Sequence, residues 1–337
     1  MKQESDALSH SVTRFCAELG ADPLWVQGAG GNVSWKVGDT LWVKASGAWL
    51  ADASERSIFV PVDLVNLRLA INAKEFSAVP QVQGDTELRP SIETMLHALM
   101  PHTVVVHVHA VEVLALLVRA TALQELKQGL GEALAWVCVD YFKPGAELAA
   151  AIHAALEACP DAPVVFMKNH GLVVGGANVE EVRHRLNTVV ALLTQAHQEL
   201  PVAKVAEPKS EDYVVLQDSA VQALAQDRVL FQRLATDWAL CPDHVVFLGP
   251  TAHTYASWRD FKQAWQIESP SPELIFIQDS GVFVTRGFSQ AKAAQLRCYY
   301  DVLVRQTPGA ALNSMSQEQI AQVLNWDSEK YRQRLEK

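Results

Sequence analysis

The feature that most constrains this chain is the repeated passage between short apolar runs and segments of helical spacing. TVVVHVH at 103–109 reads as a buried strand, and a helix is expected after it over about 111–119. PVVFM at 163–167 reads as a second such strand, with helical patterns before it at about 145–158 and after it at about 179–200. Alternation of this kind predicts an α/β fold. At 337 residues, 49% of them apolar, the chain is long enough for one large domain, or for one domain with a smaller companion.

The segment before these strands excludes an obvious alternative. An opening helix is expected from Leu8, Val12, Phe15 and Leu19, which share one helical face, with Gly20 placed to end it. Gly28, Gly30 and Gly31 follow. They precede two β-rich runs at 34–37 and 40–44, which Gly38-Asp39 joins as a hairpin. A dinucleotide fingerprint needs a helix after its glycines and a third glycine where Val33 stands, so that fold is set aside. Further on, Pro90-Ser91 is expected to open a helix running to Met100.

The proline- and charge-rich stretch PVAKVAEPKSED at 201–212 reads as a linker, dividing the chain into residues 1–200 and a smaller α/β region at 211–337. Within the latter, ELIFIQDSGVFVTRGF at 273–288 aligns with PVVFMKNHGLVVGGAN at 163–178 at a constant offset, and CPDHVVFLGP at 241–250 resembles MPHTVVVHVH at 100–109. The C-terminal region is therefore either a degenerate partial copy or a chance likeness of strand-turn-strand segments. In a copy, Ser280 stands for His170, and Leu248 and Pro250 stand where paired histidines would fall. On either reading the chemistry is expected within residues 1–200.

Charge and cysteine usage narrow the partners. With 28 basic against 38 acidic residues and no basic run, neither nucleic acid nor an anionic membrane surface is an expected partner. The five cysteines are scattered without a CxxC pair, which argues against a disulfide framework or a thiolate zinc site. The N-terminal residues lack the apolar core of a signal peptide, and a cytoplasmic location is expected.

His107 and His109 project from the same face of their strand, close enough for two imidazoles to share one ion. His170 follows its own strand and precedes Gly171, at a corner suited to displaying a side chain at a sheet edge. Three imidazoles are the usual complement of a catalytic zinc site that keeps a position open. A structural site would want a fourth protein ligand, and no cysteine stands nearby. Glu93, at the start of the helix that feeds the His107 strand, is positioned to act as general acid or base. Asn32, Ser34, Ser46 and Gly47 lie in turns flanking the hairpin, where amides and hydroxyls can cradle an anion; Lys44 and Lys168 add charge only if they point inward. His97, His102, His153 and His184 are expected to be structural or solvated.

At these residues the chain resembles the class II aldolase and adducin family, over roughly residues 8–200. The carriers are Gly31-Asn32-Val33-Ser34, Lys44-Ala45-Ser46-Gly47, Pro90-Ser91-Ile92-Glu93, His107-Val108-His109 and Asn169-His170-Gly171. The resemblance implies a three-layer α/β/α sandwich with a mostly antiparallel central sheet and a homotetramer. It implies Zn2+, or another divalent ion such as Mn2+, on His107, His109 and His170, with Glu93 as acid/base residue. An anion site is expected from Asn32, Ser46, Gly47 and Ser91. Sugar-phosphate members carry two serines before the glutamate, whereas here Ser91 is followed by Ile92, which leaves the phosphate in doubt.

The expected reaction is retro-aldol cleavage of a ketose or ketose phosphate through a metal-stabilised enediolate, the small-molecule sugar being the partner. Decarboxylation or epimerisation of a sugar acid at the same site, and a non-catalytic adducin-like interaction module, are the alternatives. A tyrosine that protonates the leaving carbonyl is not singled out among Tyr141, Tyr213, Tyr255, Tyr299, Tyr300 and Tyr331.

Overall fold

A computed structural model describes residues 2–201, 204–265 and 271–326. Its larger sheet contains β1 (Asn32–Val37), β2 (Thr40–Lys44), β3 (Phe59–Asp63), β4 (Val104–Val108), β5 (Trp136–Val139), β6 (Val164–Met167) and β7 (Gly171–Gly176). The order is β3-β2-β1-β4-β7-β6-β5, antiparallel throughout except for the β5–β6 pair, so β4 is the central strand. Around the sheet lie α1 (Lys2–Ala21), α2 (Leu64–Asn72), α3 (Thr94–Leu99), α4 (Val111–Leu117), α5 (Ala122–Leu130), α6 (Ala146–Ala158) and α7 (Val179–Leu193).

Strand alternation sets the layers. Val104, Val106 and Val108 pack with Phe15 of α1, Leu116 of α4, Leu126 of α5 and Leu186 of α7. Val105 faces the other way, into Leu96 of α3 and Leu148 and Ile152 of α6. The result is the expected three-layer α/β/α sandwich, and His107 shares the α3/α6 side with Val105. No helix of the described residues is long and apolar enough to cross a membrane. Cys16, Cys241 and Cys298 are buried free thiols; Cys138 and Cys159 are half-buried and also free.

Three local expectations shift. The helix foreseen from Ser91 begins at Thr94: the Ser91 carbonyl accepts from both the backbone and the hydroxyl of Thr94, and its own hydroxyl accepts from the Glu93 amide, forming a turn ahead of the helix. The strand foreseen to His109 ends at Val108. The helix foreseen to residue 200 ends at Leu193, where Thr194 turns its hydroxyl back onto the Val190 carbonyl and the Gln198 amide pairs instead with Val304.

The C-terminal region adds β8 (Tyr213–Val215), α8 (Ala223–Gln226), α9 (Arg228–Thr236), α10 (Pro242–Leu248), β9 (Thr254–Tyr255), α11 (Trp258–Trp265), β10 (Leu274–Ile277), β11 (Gly281–Thr285), α12 (Gln290–Leu303) and α13 (Gln317–Leu324). Its sheet runs β8-β11-β10-β9, with two antiparallel pairs and then a parallel one, the same order and sense as β4-β7-β6-β5. The two hairpins share their register: Val164 faces Val174 and Met167 faces Gly171, as Leu274 faces Val284 and Ile277 faces Gly281. Their corners coincide too, with φ of 55° at Asn169 and 56° at Asp279. The other sequence likeness does not survive. Residues 241–250 form α10 rather than a strand, because Cys241 is an extended cap followed by Pro242, a combination that starts helices. β8 takes the place that corresponds to β4.

The two regions share a core. Val111, Leu114, Ala115 and Val118, on and just after α4, pack against Leu224, Tyr299 and Val302. Arg305 reaches Glu112 at 2.7 Å, and Arg119 donates to the Arg305 carbonyl and to Gln306.

Candidate metal centre and cleft

Each histidine of the expected cluster arrives on a different piece of backbone. His107 is on β4, His109 one residue past its end, and His170 at the corner between β6 and β7. The structure brings them together: donor atoms of all three lie within 4.8 Å of one another, and all three residues are buried. Their convergence depends on Gly171, where a β-carbon would sit 2.4 Å from the Val108 carbonyl oxygen and 3.1 Å from the His109 ring. It depends equally on Asn169, whose left-handed backbone turns the chain and whose amide donates to the carbonyls of Leu240 (2.9 Å) and Asn313 (2.6 Å).

The tautomers that the neighbouring acceptors favour would let this cluster hold a cation. His107 Nδ1 lies 3.0 Å from the Leu172 carbonyl, which can only accept, so Nδ1 carries the proton and Nε2 presents a lone pair. His109 Nδ1 lies 3.3 Å from a carboxylate oxygen of Asp243, which leaves its Nε2 in the same state. The two Nε2 atoms are 3.1 Å apart. Two facing lone pairs repel unless a cation lies between them, and the donor set suits a divalent ion of the zinc type. Burial holds the His107 imidazole below its ordinary range, opposed by the charge of Glu93, which favours the neutral ligand form.

Glu93 closes the other side. Its Oε1 is 3.4 Å from His170 Nε2 and its Oε2 is 3.5 Å from His107 Nε2. Asn32 Nδ2 donates to Oε2 at 2.6 Å. Rather than sitting within the first helical turn, Glu93 occupies the cap position before it, a short loop residue aimed at the cluster.

The cleft above is lined by Asn32, Ser46, Gly47 and Ser91 together with Glu93, His109 and His170, so all four residues expected at an anion site share it. Ile92 also lines it. Lys44 is buried there, with Nζ donating to the carbonyls of Ala29 and Ala48, whereas Lys168 turns outward to Asp140 at 2.7 Å. His97 is structural, paired in the core with the Ser34 hydroxyl at 2.8 Å. None of the described tyrosines lines the cleft, and Tyr331 lies outside the described residues.

Cys241, Pro242 and Asp243 line it as well. The start of α10 thus forms one wall of a cleft whose other lining residues fall within 1–200. Sequence reasoning missed Asp243 because its block was aligned with a strand; the Cys241-Pro242 helix start was the signal available.

Residues 11–197 match the model of the Class II Aldolase and Adducin N-terminal domain. The chain belongs to the class II aldolase and adducin family.

Similarity to individual proteins is partial. The chain is 27% identical over 196 residues to the Bacillus subtilis protein named Uncharacterized oxidoreductase YuxG, a match covering 53% of this chain and 28% of that one. It is 29% identical over 187 residues to a Nocardia farcinica protein named probable bifunctional methylthioribose-1-phosphate isomerase/methylthioribulose-1-phosphate dehydratase, covering 50% of this chain and 31% of that one. The chain thus spans less than a third of the length of these curated relatives. Among solved structures, an N-terminal class II aldolase domain from Thermoplasma acidophilum is similar at 24% identity and a TM-score of 0.46, covering 54% of this chain and 90% of that one. A sugar-phosphate aldolase from Thermotoga maritima is similar at 15% identity and a TM-score of 0.46, covering 56% and 93%.

Proposed function

We propose that this class II aldolase family member is a metal-dependent lyase that cleaves a carbon–carbon bond of a ketose or ketose phosphate by a retro-aldol reaction. The observation that carries the reading is the meeting of three imidazoles and Glu93 at the floor of a cleft lined by Asn32, Ser46, Gly47 and Ser91. His107, His109 and His170 would hold the ion, zinc or manganese. When bound, it supplies Lewis-acid stabilisation of negative charge on a substrate oxygen. Glu93, oriented by Asn32, takes or returns the proton on the reacting carbon or oxygen. Ser46, Gly47 and Ser91 orient an anionic or hydroxylated end of the sugar. A cytoplasmic homotetramer with no nucleic-acid or membrane partner completes the proposal.

Ile92 favours a second reading. It puts an apolar side chain where sugar-phosphate members place a hydroxyl, which suits a substrate without phosphate and hence decarboxylation or epimerisation of a sugar acid at the same site. A purely adducin-like interaction module is the weaker alternative, because the three histidines and the glutamate are all present and convergent.

The test is metal content per chain for the wild type beside His109→Ala, followed by turnover of ketose phosphates, free ketoses and keto acids. About one divalent ion per chain, lost in the variant, with metal-dependent cleavage of a ketose substrate, is the expected result. Full turnover in a metal-free preparation would overturn it.

A further inference from the structure

We infer that Asp243, at the start of α10 and beyond the segment matched by the family model, is a positioning residue for the metal site, fixing the orientation and tautomer of His109. The inference rests on the metal-site reading above and deepens it. Asp243 is buried, and its Oδ2 lies 3.3 Å from His109 Nδ1. Gln295 Nε2 stands 3.4 Å from the same oxygen and 3.3 Å from the Gln27 carbonyl, which ties α12 and the glycine loop into one arrangement. A β-carbon at Gly30 would lie 3.3 Å from both Asp243 Oδ2 and His109 Nδ1, so a larger residue there would crowd the pair.

The Asp243 carboxyl oxygen lies against the ring and serves as an acceptor for the N–H it faces. Facing Asp243, His109 therefore keeps its proton on Nδ1 and turns the Nε2 lone pair toward His107 Nε2, 3.1 Å away. Without Asp243, the other tautomer is the favoured one, because a proton on His109 Nε2 would then bridge the two rings and occupy the space an ion needs. The same region grips the third histidine indirectly, through the two carbonyls that receive the Asn169 amide just before His170. The C-terminal region thus acts on the metal ligands, in addition to packing against α4.

The experiment uses the full chain with zinc(II) as probe, by competition against a chromophoric chelator, and nitrogen-15 NMR of labelled histidines to locate the His109 proton. Wild type, Asp243→Asn and His109→Ala are compared after their folds are matched by circular dichroism. Expected results are a proton on Nδ1 of His109 in the zinc-loaded wild type, and zinc affinity lowered about 10- to 100-fold in Asp243→Asn. Affinity within twofold of wild type in Asp243→Asn, while His109→Ala loses the ion, overturns the role of Asp243 and leaves the metal site standing. Should Asp243→Asn not fold, the wild-type spectrum decides alone, since a proton on Nε2 of His109 overturns the proposal. Zinc binding equal in wild type and His109→Ala overturns the functional reading and this inference with it.

Discussion

Asn32 and Glu93 are joined by a hydrogen bond of 2.6 Å, so that the first residue of β1 grips the carboxylate facing the histidines. A Glu93 released from that grip loses its aim. Asn32→Ala is therefore expected to reduce turnover about 10- to 100-fold while leaving one ion per chain. Parallel measurement of kcat and metal content checks this; a change below twofold would count against Glu93 being held by Asn32.

Gly171 makes room for two of the three imidazoles. Gly171→Ala is expected to cost about 1–3 kcal/mol in stability and to weaken metal binding, because the Val108 carbonyl at 2.4 Å cannot move without shifting His109. Gly281, at the matching corner of the second hairpin, is the control. There a β-carbon would strike Val205 and Gln222, so Gly281→Ala should destabilise without loss of metal affinity, as read by urea midpoints and chelator competition.

Acid should destabilise the chain through histidines far from water. Burial pushes the His244 imidazole from its ordinary 6.5 down to about 3, and burial also holds His97 well below its ordinary value. The unfolded chain then binds more protons than the native one between these limits. The stability that comes from keeping these rings neutral is complete above about pH 6.5 and is lost as pH falls toward 3. Among the described residues neither His244 ring nitrogen has a hydrogen-bond partner, so His244→Phe should flatten the fall in urea midpoint between about pH 7 and about pH 5.

Unfolding should be a single event. The apolar face of α4 belongs to the same cluster as Leu224, Tyr299 and Val302, and Arg305 pairs with Glu112 in nearly dry surroundings. Arg305→Ala is expected to cost about 1–3 kcal/mol, since it leaves the half-buried Glu112 carboxylate without its guanidinium partner. Tryptophan fluorescence and circular dichroism should report coincident urea transitions; two separated transitions would show that the regions fold independently.

Within the first 200 residues α1, β1, β2, β4, α4, α6, β6 and α7 were readable because their apolar runs and helical periods are clear, whereas β3, α2, α5 and β5 were not foreseen. The histidine cluster was readable for a related reason: alternation along β4 places His107 and His109 on one side, whatever the rest of the chain does. Boundaries were not, because individual hydrogen bonds decided them, local at Thr194 and distant at Gln198 where α7 ends. Asp243 escaped for the deepest reason. Its role arises only when α10 is laid against the end of β4, a contact across 134 positions that no periodicity announces.

The corner at Asn169 has a twin at Asp279, where Ser280 stands in place of a histidine and no ligand cluster is formed by the described residues. The bend is therefore a property of the hairpin's own backbone and does not require a histidine after it. What distinguishes the two hairpins is the residue set on that bend, His170 in one and Ser280 in the other.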